Sequence, residues 1–169
     1  VSARPAQVLL LRHAEKDSVS GNELSAQGFR RAHALPELFY KRSEFQEFGL
    51  PVALFAMGQK SDTTSIRAIQ TLEPLAQELQ LKVKDDYTKK NYLRMVEKIL
   101  NNSKYDGKLV VICWENKVLH DIAVAFGLPD APDYPAEKYD RAWLLTFANS
   151  SRPTLQDIPQ KLLPGDDSQ

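Results

Sequence analysis

At 169 residues, 43% of them apolar, the chain is long enough for one domain with a substantial core and too short for two ordinary ones. Lysine plus arginine balances aspartate plus glutamate at 22 each, so no global field favours nucleic acid or an anionic membrane surface, and any anion site must be a local arrangement. Cys113 is the only cysteine, which rules out an internal disulfide and a multi-cysteine metal site, and no apolar stretch approaches the ~18 residues of a membrane span.

The first element is Val8–Leu11, a continuous apolar run that reads as a strand covered on both faces. It stops abruptly at Arg12-His13. After a polar loop, Ser25 is a plausible N-cap for a helix carrying Phe29, Ala32, Leu35 and Phe39 at helical spacing, with a kink or restart expected at Pro36. A second strand is expected over 52–57. Past a polar loop, Ile66, Ile69, Leu72, Leu75, Ala76 and Leu79 form the apolar stripe of a helix that contains Pro74. Residues 81–84 read as a short strand, and a helix runs through Tyr92, Val96, Ile99 and Leu100. The strongest strand is 108–114, where Cys113 reads as a small core residue. A helix over 118–126 ends at Gly127, a good residue to follow a helix terminus. A proline-rich loop leads to two closing strands, 141–148 and 154–158. Their connection is too short for a parallel crossover, so at least one is antiparallel.

Strands alternating with amphipathic helices give an α/β chain, expected as a three-layer α/β/α sandwich. Its sheet should be mostly parallel, with an antiparallel strand near the C-terminus. One domain should span 1–169, with residues 1–6 and 165–169 loose.

Ligands of open parallel sheets bind outside the carboxyl ends of the strands. Arg12 and His13 fall where the first strand ends, and Asn116 just past the end of the 108–114 strand. Arg67 falls in the first turn of the helix after the second strand, which Ser65, Thr64 or Thr63 could cap. Taken singly, each residue is ordinary: a solvated arginine, a structural histidine, a helix-surface cation. Together, two arginines and a histidine on one rim form a phosphate pocket, since guanidinium groups match phosphate oxygens in a bidentate way.

"LLLRHAEK" resembles the RHG/RHAEK signature of the histidine phosphatase superfamily, the phosphoglycerate-mutase-like fold. "LSAQGFRRAHAL" resembles that family's Leu-Ser/Thr-x-x-Gly helix start, and "SIRAIQTLEPLAQEL" its second-arginine helix. "VVICWENKVLHDIAVAFG" stands where the family has a strand, a second catalytic histidine and a helix. "YDRAWLLTF" and "QKLLPGD" resemble the ends of small RHAEK-type members. The resemblance implies metal-independent phosphoryl transfer, without a cofactor, through a phosphohistidine. His13 would be the nucleophile, and Arg12 and Arg67 would neutralise the non-bridging oxygens. A phosphorylated small molecule or a phosphoprotein is the implied partner. A mutase is disfavoured because the long insertions of larger members are missing. A cytoplasmic location fits the lone cysteine, and a processed exported form stays open.

One departure stands out. Small RHAEK-type members carry Trp-Glu-His where this chain has Trp114-Glu115-Asn116. Asn116 can donate a hydrogen bond through its amide, without charge. It marks a natural low-activity or ligand-binding member, an introduced substitution, or a site compensated elsewhere, for which His120, one helical turn on, is the candidate. His33 reads as a helix-surface or core histidine. The acid that protonates the leaving group is Glu15, which belongs to the signature, or Glu115. An ion pair of Glu15 with Lys16 or Arg67 is an equal reading. Lys60 and Asp62 lie in a loop that can touch substrate.

Overall fold

A computed structural model describes residues 4–19, 21–148 and 152–169. Six strands alternate with five helices: β1 (Gln7–Arg12), α1 (Ala26–Ala34), α2 (Glu37–Lys41), β2 (Ala53–Ala56), α3 (Arg67–Leu79), β3 (Val83–Lys84), α4 (Tyr92–Leu100), β4 (Leu109–Trp114), α5 (Asn116–Ala125), β5 (Arg141–Thr146) and β6 (Thr154–Pro159). The strands form one sheet in the order β3-β2-β4-β1-β5-β6. β3, β2, β4 and β1 are mutually parallel, β5 runs antiparallel to β1, and β6 antiparallel to β5. Helices flank this sheet, α1 packing on α3 and α4 on α5. The result is the three-layer α/β/α sandwich expected from the alternation of strand and helix.

The central strands are the ones without polar alternation, because both of their faces are covered. Val8, Leu9, Leu10 and Leu11 are fully buried, as are Leu109 to Trp114. β6 sits at the sheet edge and keeps exposed positions along its length. β1 and β4 end level with each other, Arg12 opposite Trp114. The His13 amide then donates to the Trp114 carbonyl at 3.2 Å. The two segments that leave these strands therefore start side by side, on the carboxyl edge of the sheet.

α1 is capped as its sequence predicts, the Gly28 amide donating to Ser25 Oγ at 3.1 Å. Pro36 separates α1 from α2, so the expected interruption is a restart. Phe29, expected in the core, is 38% exposed. The inward face of α1 is instead Gly28 and Ala32, one turn apart, lying against the loop after β1. A Cβ at Gly28 would come within 2.2 Å of the Glu15 carbonyl oxygen, so this approach admits only glycine. α5 begins at Asn116, two residues earlier than its apolar spacing suggests, because Glu115 turns straight out of β4. Beyond α5, Gly127 has the positive φ of a helix-terminating residue.

Near both ends, described residues that fall in the stretches expected to be loose bond to the rest of the chain. Ala6 donates to Lys108 O at 2.9 Å, and Pro5 bridges to Asp106. Residues 1–3 lie outside the described residues. At the other end, Asp166 pairs with Arg31 and Asp167 with Lys138. The two carboxylates of "PGDDSQ" thus answer a buried and a half-buried cation far away in sequence.

Candidate active site

Arg12 is the last residue of β1 and His13 the first beyond it, and both are buried, 6% and 2% exposed. A buried arginine needs acceptors on its fork. Here Nη1 donates to the carbonyls of Ala136 (2.7 Å) and Lys138 (3.0 Å), and Nη2 to the Tyr139 hydroxyl (3.3 Å). The guanidinium also lies over the Tyr139 ring, 3.9 Å from its centroid, a cation–π geometry. The loop before β5 thus fixes the plane of Arg12. Its Nε is buried and has no acceptor among the described residues.

The His13 ring makes one hydrogen bond among the described residues, Nδ1 at 2.7 Å from the Ala14 carbonyl, and its centroid lies 6.0 Å from that of the Tyr139 ring. A carbonyl only accepts, so Nδ1 carries the proton and the lone pair is on Nε2. Burial pulls the His13 pKa down to about 4, against the Ala14 bond that favours the cation. The charges of Arg67 and Arg12 act with burial, and Glu115 acts against it. At neutral pH the imidazole is uncharged, and the Ala14 bond fixes its orientation.

Arg67 is the first residue of α3. Nη1 donates to the Gly21 carbonyl at 2.7 Å, and its Nε, like that of Arg12, is buried without an acceptor among the described residues. Of the three candidate hydroxyls, Ser65 accepts from the Arg67 amide at 3.3 Å. Thr64 instead closes its own loop through Lys60 and Ser61. Thr71, one turn into α3, ties this arginine to the histidine. Its hydroxyl donates to the Arg67 carbonyl (2.7 Å) and accepts from the Ala14 amide (2.9 Å). Arg12, His13 and Arg67 are thereby brought to one spot, close enough for each arginine to act on the histidine.

The two carboxylates separate clearly. Glu15 faces away from the histidine into a cluster around Arg31, where both of its oxygens accept from that guanidinium (2.9–3.2 Å) and one from Gln27 (3.0 Å). Its partner is neither Lys16 nor Arg67. Burial would raise the Glu15 pKa, but Arg31 holds it below the usual carboxylate range. Glu115 pairs with Lys89 at 2.9 Å, and its charge is felt at both His13 and Arg67. Asn116 is half-buried in the first turn of α5, on the rim that β4 shares with β1. His120 bonds to the Pro132 carbonyl at 3.2 Å, and His33 is exposed on α1. Lys60 and Asp62 are exposed in the loop after β2. Among the described residues no three His, Cys, Asp or Glu side chains are grouped to hold a metal ion.

Tyr139, Thr71 and Arg31 were not singled out by the sequence. Thr71 had a signal, a polar residue between Ala68 and Leu75 on the buried face of α3. Tyr139 opens the "YDRAWLLTF" stretch, but a proline-rich loop has no period to break, so nothing there marks its ring as a partner of Arg12.

The architecture that carries these groups is the fold of the histidine phosphatases. A protein histidine phosphatase, SixA, solved with tungstate, superposes with a TM-score of 0.63 over 91% of this chain and 97% of its own, at 16% identity. A protein assigned as the phosphohistidine phosphatase SixA of Agrobacterium tumefaciens gives 0.55 over 90% and 97%, at 17% identity. No protein-family model matches the chain, and no curated protein sequence does.

Proposed function

We propose that the protein is a metal-independent phosphatase that hydrolyses a phosphomonoester or phosphoprotein through a phosphohistidine at His13. One observation carries this: a neutral imidazole with its lone pair on Nε2 lies within the field of two arginines whose Nε donors are buried and unanswered among the described residues. A phosphoryl group supplies the acceptors those donors lack. Nε2 attacks phosphorus, the bond to the leaving-group oxygen breaks, and that oxygen takes a proton. Water then attacks the phosphohistidine, releasing inorganic phosphate and the neutral imidazole. Charge accumulates on the non-bridging oxygens, where Arg12, Arg67 and the first turn of α5 oppose it.

Glu15 acts in this scheme by position, since its oxygens are held by Arg31 and Gln27. Glu115 is the carboxylate on the leaving-group side. Asn116 stands where a charged donor would strengthen the transition state, so the activity is attenuated, by roughly 2–4 kcal/mol or ~10²–10³ in rate. The same substitution favours a second reading, a phospho-ligand-binding protein with negligible turnover.

The test is hydrolysis of an aryl phosphate in the presence of chelator, comparing the parent with Asn116→His. Slow turnover in the parent, inhibited by phosphate, and a ~10²-fold or greater gain in the variant support the phosphatase. Inert parent and variant at every pH would favour the binding protein.

A further inference from the structure

Beside the candidate active site lies a cleft of about 440 Å³ that the phosphoryl pocket does not use. Met57 and Gly58 line it where β2 ends, with Thr64, Ser65 and Lys60 on the loop toward α3, Thr88 to Asn91 on the segment before α4, and Glu115 at the end of β4. Two of these residues link the cleft to the phosphoryl pocket. Ser65 bonds the Arg67 amide, and the Glu115 charge reaches His13 and Arg67. The cleft therefore opens on the side of the phosphoryl pocket where Glu115 stands.

Its walls are built and held. The Gly58 amide donates to the Tyr87 carbonyl at 2.8 Å, and residue 58 bridges to Thr88. A Cβ at Gly58 would meet the Asp85 carbonyl oxygen at 2.2 Å, so β2 and the 85–88 segment touch only because residue 58 is glycine. The Trp114 indole, buried at the end of β4, donates to the Lys89 carbonyl at 3.4 Å, and Asn91 donates to Thr88 Oγ1 at 2.8 Å.

The charge of this cleft is one-sided. Three lysines, Lys60, Lys89 and Lys90, face it with one carboxylate, in a chain whose formal charges cancel overall. Lys89 is paired with that carboxylate. Lys60 and Lys90 have no carboxylate partner among the described residues. The volume is that of a small-molecule site, and Met57 adds an apolar side chain to its lining.

We propose that this cleft is the leaving-group subsite and that it selects phosphomonoesters whose leaving group carries a second negative charge, held by Lys60 and Lys90. The proposal rests on the phosphatase reading, because it takes the phosphoryl end of the ligand to lie on Arg12 and Arg67. Lys89 serves a different purpose, holding the Glu115 charge off the bound anion.

Calorimetry on the full chain with two non-hydrolysable ligands tests it: 4-carboxybenzylphosphonate, and the neutral-tailed 4-carbamoylbenzylphosphonate. The carboxylate should bind roughly fivefold or more tightly at low salt, a preference that shrinks at high salt. In the double variant Lys60→Met/Lys90→Met, both substitutions being on exposed side chains, the two ligands should bind within about twofold of each other. The same double change at Lys82 and Lys104, outside the cleft, should keep the preference. Equal binding of both ligands to the parent would overturn the subsite while leaving the phosphoryl pocket standing. A preference that survives in the Lys60/Lys90 variant would overturn the assignment of those lysines. If neither phosphonate binds, the phosphoryl pocket fails and the subsite with it.

Discussion

His13 shows how burial sets chemistry at a single residue. Taking an imidazole out of water disfavours its charged form, and two neighbouring guanidinium groups add to that. The folded pKa near 4 lies below the 6.5 of an unfolded histidine. Between those values the unfolded chain binds the extra proton, so stability rises with pH across the window and is lost as pH falls through it. A shift of this size corresponds to about 3 kcal/mol. Urea unfolding from pH 7 down to 4 should show that loss, and His13→Asn should flatten most of it. Arg12 and His13 were legible in sequence because an aliphatic run ended so sharply on charge. The acceptors that orient Arg12 were not, since they are backbone carbonyls of residues 136 and 138 and carry no sequence signature.

At the scale of elements, the site is a junction of β1, α3 and β4. The parallel pairing of β1 with β4 brings Arg12 level with Trp114, and Thr71 locks the start of α3 to the loop after β1. Thr71→Val removes a hydroxyl that satisfies the Ala14 amide and the Arg67 carbonyl. A buried donor left unanswered costs about 1–3 kcal/mol, which chemical denaturation should register. Turnover should fall further than the small lost fraction of folded protein explains, because His13 and Arg67 lose their shared anchor. The periodicities named each of these elements in order. They gave the start of α5 late, since Asn116 and Lys117 carry no apolar side chain to mark the first turn. They also put Phe29 inside, where the face of α1 that meets the β1 loop has room only for Gly28 and Ala32.

At the scale of the whole molecule, Arg31 joins parts of the chain that are far apart. It is 3% exposed and binds Glu15 in the loop after β1, Gln160 after β6 and Asp166 near the C-terminus. Burial works against its charge, and Asp166 and Glu15 more than offset that, so its pKa is raised. Both carboxylates are in turn held below their ordinary range, Asp166 with help from two backbone amides. Arg31→Met leaves two carboxylates buried without a cation, a change that costs about 3–5 kcal/mol. The loss should be full at neutral pH. It should shrink as the pH falls below the carboxylate range, since a protonated carboxyl needs no cation and depressed carboxylate pKa values stabilise only above it. Thermal unfolding of parent and variant at pH 7 and pH 3.5 checks both parts. In sequence Arg31 is one of two adjacent arginines on an amphipathic helix, with nothing to say which is buried. Its partner Asp166 ends the "QKLLPGD" stretch, in a segment expected to be loose, and nothing there names a partner for Arg31.

The central claim is that His13 itself carries the phosphoryl group. Rapid acid-free quenching of the enzyme during turnover of a ³²P-labelled phosphomonoester, followed by denaturing gel and peptide mapping, tests it most directly. The account predicts a label stable to alkali, released by mild acid, mapped to the peptide containing His13 and absent from His13→Asn. Turnover without any such label, or a label surviving in the His13→Asn variant, would contradict it.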